Sequence, residues 1–324
     1  MVSAIQLHEV GAPHVLSLTR TDESQPGPGE VWLEHDAIGV NYLDVNQRNG
    51  AVRIPLPSGL GLEGAGRVRA VGAGVGNVQV GDHVAYAAGP LGAYASARLY
   101  PAERLVKLPS GLSSEDAAAL LFKGITAHYL LHSTYPVGPG SSILLYGVAG
   151  GVGAIMAQWA KHLGARVIGV VSRASSVEKA QALGCDDVLV FDPHTLASDV
   201  ARLTDGQKVD VVYDGIGRLS FDASLDSLRP RGLLVSFGAS SGVPDAVDVA
   251  TLNSKGSLFL TRPSLAAHTA STAEYQGRAQ AVIAAAQAGI ISPRIWGRYA
   301  LADAGAAHAD LEAGRSSGAI ILTP

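Results

Sequence analysis

The hydrophobic rhythm of the chain changes about a third of the way along. Before residue 112 the apolar positions fall in short β-prone runs, at 31–35, 65–71 and 83–87. Turn residues close these runs: Pro26-Gly27-Pro28-Gly29, Gly72-Ala73-Gly74 and Val80-Gly81-Asp82. Short strands between Gly/Pro turns, with few helices, predict a barrel-like or sheet-rich domain. Beyond 112, Ser113-Ser114-Glu115-Asp116 supply polar caps and first-turn acids ahead of the apolar run 117–122, so a helix starts there and continues over 126–133. Strands are then expected at 143–146, 166–171, 187–191, 209–213 and 232–237, with helices at 153–163, 177–183 and 196–203. Uninterrupted Val/Ile/Leu strands alternating with helices predict a parallel sheet covered on both faces. An Ala-rich helix at 274–288 and a strand at 319–322 close the chain.

Composition narrows the class. The 324 residues are 47% hydrophobic, enough for a substantial core and about two domains. Charged residues make up only 16% and there are 39 glycines, which suits close-packed α/β structure with tight turns. A net charge of −4 with no Lys/Arg run leaves no electrostatic footprint for nucleic acid. The single cysteine, Cys185, rules out an intramolecular disulfide and a cysteine-built zinc site, and reads as a small buried residue. The first residues lack a basic segment followed by an apolar stretch, and no apolar run reaches the ~18 residues of a membrane span. A cytoplasmic protein is the expectation.

The strongest motif is Gly147-Val148-Ala149-Gly150-Gly151-Val152-Gly153, set between an expected strand and helix. Glycines there let the backbone turn tightly and approach a pyrophosphate, while the following helix presents its N–H groups and positive dipole end. The spacing is G-x-x-G-x-x-G rather than G-x-G-x-x-G, but strand, helix and next strand all agree on a dinucleotide site. At the end of that next strand stands Val170-Val171-Ser172-Arg173, where an NAD site carries an acid for the ribose 2′-OH. No acid is present to repel a 2′-phosphate, Arg173 can pair with one, and Ser172 and Ser176 add hydroxyl donors, so NADPH is expected. The alternative for Arg173 is a solvated surface arginine.

At this point the residues resemble the bacterial quinone oxidoreductases, zinc-free members of the medium-chain dehydrogenase/reductase superfamily, over nearly the whole length. The resemblance is carried by Gly39-Val40-Asn41-Tyr42-Leu43-Asp44, Gly59 to Gly66, Val80-Gly81-Asp82-His83-Val84, Lys123-Gly124-Ile125-Thr126-Ala127, Ala149 to Gly153, Val211 to Gly217, Arg231 to Gly238 and Thr261-Arg262-Pro263-Ser264. It implies a GroES-like catalytic domain over 1–122, a Rossmann NADPH-binding domain over 123–260 and a segment, 261–324, returning to the catalytic domain. It also implies a homodimer and a cofactor in the interdomain cleft. By resemblance, Asn41 to Val45, including Tyr42 and Asp44, and Thr126 to His128 line the nicotinamide region. Gly150, Gly151 and Val152 hold the pyrophosphate. Ser172, Arg173 and Ser176 face the adenosine phosphate, and Phe191 flanks the adenosine. Gly215 and Gly217 follow the next strand. Ser236, Phe237, Gly238, Ala239, Ser240, Arg262, Pro263, Ser264 and Arg315 close over the cofactor. The chain departs from the family where relatives carry a lysine near Ser176, a tyrosine at Phe191 and a tyrosine at Asn46.

Zinc alcohol dehydrogenases carry Gly-His-Glu where this chain has Gly61-Leu62-Glu63, and Leu62 cannot ligate a metal; no metal is expected. Without zinc to polarise an alcohol, the chemistry implied is hydride transfer from NADPH to an electron-poor acceptor such as a quinone, with proximity supplying much of the rate. The catalytic residue stays unassigned. Asn41, Tyr42 and Arg48 are candidates, with a packing aromatic and a structural arginine as the alternatives for Tyr42 and Arg48. An enone or enoyl reductase of the same fold is the second reading. A non-catalytic NADPH-binding protein, structural or RNA-binding, is the third, and the acidic balance argues against RNA.

Overall fold

The structure is a computed structural model that describes residues 1–324. It divides into two compact units, one of residues 1–125 with 269–324 and one of residues 126–268. The sequence reading draws these boundaries at 123 and 261.

The N-terminal segment supplies β1 (Val2–Leu7), β2 (Leu16–Thr21), β3 (Glu30–Val40), α1 (Tyr42–Arg48), β4 (Ser58–Gly59), β5 (Glu63–Val71), β6 (His83–Ala87), β7 (Ala97–Pro101), β8 (Val106–Lys107) and the start of α2 (Ser114–Tyr129). The eleven-residue β3 is its spine: it pairs antiparallel with β5, placing Leu33 opposite Val68, and with β7 on the other side. Val31, Leu33 and Ile38 turn inward onto Val68, Val84, Tyr86 and Tyr100, while Glu34 stays exposed. That is the period-two burial expected of a half-covered antiparallel sheet. Helix α1 has no counterpart among the expected elements, and α2 passes at Leu130–Thr134 into a π-helical turn.

The second unit runs through β9 (Ser142–Tyr146), α3 (Gly151–His162), β10 (Arg166–Val171), α4 (Val177–Ala182), β11 (Asp187–Val190), α5 (Leu196–Leu203), β12 (Val209–Asp214), α6 (Phe221–Asp226), β13 (Leu228–Ser236), α7 (Val249–Ser254) and β14 (Phe259–Thr261). Its six strands are all parallel, in the order β11-β10-β9-β12-β13-β14. The chain winds outward from β9 in one direction and then from β12 in the other, so the order reverses between those two strands. The carboxyl ends flanking such a switch point are where doubly wound sheets bind nucleotides. Leu144, Ile168, Val170, Val212 and Leu234 fill the sheet core.

The C-terminal segment returns to the first unit as α8 (Thr272–Gln287), β15 (Ile295–Ala300), α9 (Ala304–Glu312) and β16 (Ala319–Thr323). Strand β16 pairs antiparallel with β3, setting Ile321 opposite Gly39, and β15 pairs with β16. The fold is thus α/β: a doubly wound Rossmann sheet plus a β-rich unit built from both ends of the chain. No helix is long and apolar enough to cross a membrane.

Candidate functional site

In the second unit, the glycine motif forms the turn from β9 into α3. Gly147 has φ +63°, a left-handed conformation that only glycine adopts freely, and nothing lies within 4 Å of where its Cβ would stand. Gly153 is packed from behind: a Cβ there would meet the Gly147 carbonyl oxygen at 2.3 Å. The turn is therefore open on one side and filled by its own backbone on the other. The first N–H groups of the twelve-residue α3, beginning at Gly151, stand at this open turn with no helical carbonyl to bond. This is the cradle a pyrophosphate requires, and the residues fit the group.

The other expected contacts in this unit gather at the same carboxyl ends. Ser172 and Arg173 follow β10 and are exposed; Ser176 immediately precedes α4. Phe191 lies one residue beyond β11, its N–H bonded to the Val171 carbonyl and its ring edge-on to Tyr146 at 5.7 Å. At the end of β12 the buried Asp214 carboxylate accepts the N–H groups of Ile216 (2.7 Å) and Gly217 (3.1 Å), which locks the turn at Gly215 to Gly217. The loop after β13 is stitched to that turn by Ser240 N–H on the Gly215 carbonyl. The Phe237 ring covers Gly215, and the Arg262 guanidinium donates to Ser236 Oγ at 3.2 Å. Ser236 to Ser240 and Arg262 to Ser264 thus form one cluster with Gly215 and Gly217. Thr126 is buried on α2, and His128 stacks on His132 and meets Trp159 of α3 edge-on.

In the first unit, α1 starts at Asn41. Its backbone N–H donates to Asp44 Oδ2 at 2.9 Å, a cap that fixes the helix entry. The Asn41 side chain is held as well: Nδ2 donates to Glu63 Oε2 at 2.9 Å, and Lys123 Nζ donates to Asn41 Oδ1 at 2.9 Å. Asp44 also accepts the Tyr94 hydroxyl at 2.9 Å, and the same hydroxyl lies 2.9 Å from His308 Nε2. Burial drives the Asp44 carboxyl up to about 7 against the hydrogen bonds from Asn41 and Tyr94 and the charge of Lys123. Burial, helped by the charge of Arg48, drives the His308 imidazole down to about 3. Tyr42 is 36% exposed; burial, then the charge of Glu312, raises its hydroxyl above the ordinary tyrosine value. Arg48 is 1% exposed, with Nη2 donating to Glu312 Oε1 at 2.5 Å. Arg315 is ion-paired with Asp310 just after α9.

Glu63, Lys123, Tyr94, His308 and Asp214 were not among the expected site residues. Glu63 and Lys123 sit in motifs that carry the resemblance, so a signal existed; Tyr94 and His308 carry none. Cys185 is buried, its thiol pushed up to about 12 by desolvation. No set of three or more His, Cys, Asp or Glu side chains comes within reach of a common metal position. A groove of about 880 Å³ beside α8, lined by Lys107, Gln276 and Ile283, contains none of the expected site residues.

The comparisons with known proteins fit this geometry. Residues 27–110 match the alcohol dehydrogenase GroES-like domain, and residues 151–283 match the zinc-binding dehydrogenase family. The chain is 43% identical to a quinone oxidoreductase of Pseudomonas aeruginosa and 41% identical to a 2-haloacrylate reductase of a Burkholderia species. Each alignment covers 99% or more of both proteins. The structure of Escherichia coli quinone oxidoreductase complexed with NADPH superposes with a TM-score of 0.95 at 40% identity, covering 99% of this chain and 100% of that one. The chain belongs to the quinone oxidoreductase family of the medium-chain dehydrogenase/reductase superfamily.

Proposed function

We propose that the protein is an NADPH-dependent quinone oxidoreductase that works without zinc. The observation that carries this is the open turn at Gly147 leading into α3, joined to a second strand that ends in Ser172-Arg173 with no acid. When bound, NADPH supplies the hydride. The chain's own work is to bind and orient. The N-terminus of α3 and Gly150 to Val152 hold the pyrophosphate. Arg173, with Ser172 and Ser176, faces the 2′-phosphate, Phe191 flanks the adenosine, and Arg262 shapes the loops over the cofactor. Arg315 belongs to the same set. Asn41, Tyr42, Thr126 and His128 border the nicotinamide, and Asp44 fixes the backbone of Asn41. Of the candidate proton donors, Tyr42 is the one water reaches, whereas Arg48 is committed to Glu312.

A second reading, reduction of a conjugated carbonyl, is favoured by Asn46 on α1 in place of the family's tyrosine and by the 2-haloacrylate reductase relative. A homodimer in the cytoplasm is part of the proposal; Phe259, 61% exposed on the edge strand β14, supports a subunit contact there.

The test follows loss of reduced-nicotinamide absorbance with a benzoquinone and with an enone, each with NADPH and NADH. NADPH-specific quinone turnover is expected. Arg173→Ala is expected to raise KM for NADPH by roughly tenfold to a hundredfold, the worth of a charge-assisted phosphate contact, and to leave KM for NADH unchanged. Equal use of both cofactors by the wild type would remove Arg173 from the phosphate site, and faster enone reduction would promote the second reading.

A further inference from the structure

Glu63 and Lys123 lie sixty residues apart in sequence and meet inside the first unit, their side chains 0% and 7% exposed. They close a ring with the side chain of Asn41. Lys123 Nζ donates to Asn41 Oδ1 at 2.9 Å and to Glu63 Oε2 at 3.2 Å, and Asn41 Nδ2 donates to the same Glu63 oxygen at 2.9 Å. The second carboxylate oxygen, Oε1, accepts the backbone N–H of Phe122 at 2.7 Å. The fold reserves space for this carboxylate: a Cβ at Gly39 would stand 2.2 Å from Glu63 Oε2.

We infer that Glu63 and Lys123 are positioning residues that set the side-chain amide of Asn41 in one orientation for the nicotinamide half of NADPH. The argument is one of hydrogen-bonding polarity. An asparagine amide is nearly symmetric in shape, so packing alone does not choose between its two flips. Here an ammonium can only donate, to the amide oxygen, and a carboxylate can only accept, from the amide nitrogen. The flipped amide would face donor with donor and acceptor with acceptor. Each amide atom keeps one further position, an N–H on Nδ2 and a lone pair on Oδ1, and the ring fixes which is presented where. Asp44 fixes the backbone of the same residue through its N–H. Asn41 is thereby held from both sides by groups that themselves need no contact with the cofactor. The inference rests on the proposed placement of the nicotinamide beside Asn41.

The experiment compares two ligands by calorimetric titration: NADPH, and adenosine 2′,5′-bisphosphate, which lacks the nicotinamide half. The protein variants are wild type, Asn41→Ala and the double variant Glu63→Gln with Lys123→Met. The double variant removes both buried charges together, which is tolerated better than stranding one. Asn41→Ala is expected to weaken NADPH and spare the bisphosphate. The double variant is expected to weaken NADPH about tenfold, again with the bisphosphate unchanged. NADPH affinity unchanged in the double variant but weakened in Asn41→Ala overturns the positioning role and leaves the placement of the nicotinamide standing. NADPH affinity unchanged in Asn41→Ala overturns that placement and the inference with it. Parallel loss of both ligands with a lower melting temperature makes the pair a structural element and overturns the inference too. Should the double variant not fold, Glu63→Gln with Lys123→Leu, which likewise strands neither charge, is read in the same way.

Discussion

The Tyr94 hydroxyl donates to Asp44 Oδ2 at 2.9 Å in a place where neither side chain meets water. Its oxygen also lies 2.9 Å from His308 Nε2. With the imidazole neutral, as its burial dictates, and Asp44 ionised, as it is above about pH 7, an N–H on Nε2 donates to Tyr94 and Tyr94 donates to Asp44. The chain of donors runs one way, from α9 to the start of α1, and ends on the carboxylate that caps Asn41.

This arrangement has opposed pH dependences. Asp44 goes from an ordinary 3.8 to about 7 in the fold, so between those values the folded state holds the extra proton and stability falls as pH rises. His308 goes from 6.5 to about 3, so over that window the unfolded state holds the extra proton and stability rises with pH. The two slopes, each at most ~1.4 kcal/mol per pH unit, offset one another where they overlap. Asp44→Asn is expected to unmask the His308 slope: relative to wild type, its stability should climb from about pH 4 to about pH 7. Denaturant unfolding at a series of pH values checks this; a constant difference between the two proteins across the window would rule it out.

Arg48 and Glu312 dock α1 on α9, but unequally: the guanidinium side chain is 1% exposed and the carboxylate 31%. Removing the partner of the deeper charge is the costlier change. Glu312→Ala is expected to destabilise by about 3–5 kcal/mol because it strands a buried cation. Arg48→Met leaves a carboxylate that water can reach and should cost about 1–2 kcal/mol. Equilibrium unfolding of the two variants decides it, and equal losses would contradict the asymmetry.

The turn at Gly147 is supported from behind by Gly153, where a Cβ would collide with backbone at 2.3 Å. A Cβ at Gly150 would reach its nearest neighbour at a milder 3.1 Å. Gly153→Ala is therefore expected to lower stability by about 1–3 kcal/mol through overpacking and to weaken NADPH. Gly150→Ala should be the more stable of the two. Melting curves taken without ligand give the ordering, and the reverse order would refute the packing argument.

What could be read from the sequence follows from how local each signal is. Strand β10 and helix α5 were legible to the residue, because the apolar run of Val167, Ile168, Val170 and Val171 and the stripe of Leu196, Val200 and Leu203 need no tertiary context. Helix α1 was missed: seven residues ending Asn46-Gln47-Arg48 are too short and polar for a periodic signal, and its cap is a site motif. Helix α9, Ala-Gly-Ala-Ala-His-Ala-Asp-Leu-Glu, lacks apolar contrast, and its buried His308 is defined only by Tyr94. The π-helical turn after α2 has no distinct period over five residues. The glycine turn after β9 and the loops at the strand ends of the second unit were foreseeable because one supersecondary unit carries them. The ring of Asn41, Glu63 and Lys123 joins three segments, so no window of sequence contains it.

The pairing of β16 with β3 orders events during synthesis. The 126–268 unit is contiguous and can complete its core once its own residues have left the ribosome. The first unit begins earlier but must wait. Strand β3 pairs with β5 and, over residues 30–34, with β7, but its residues 38–40 acquire their second neighbour only when residues 319–323 emerge, and Ile321 has to find Gly39 across nearly the whole chain. Loop closure over such a span is entropically slow. The β-rich unit, although translated first, completes its sheet last, and until then the stretch of β3 at residues 38–40 lies open to strands of other nascent chains.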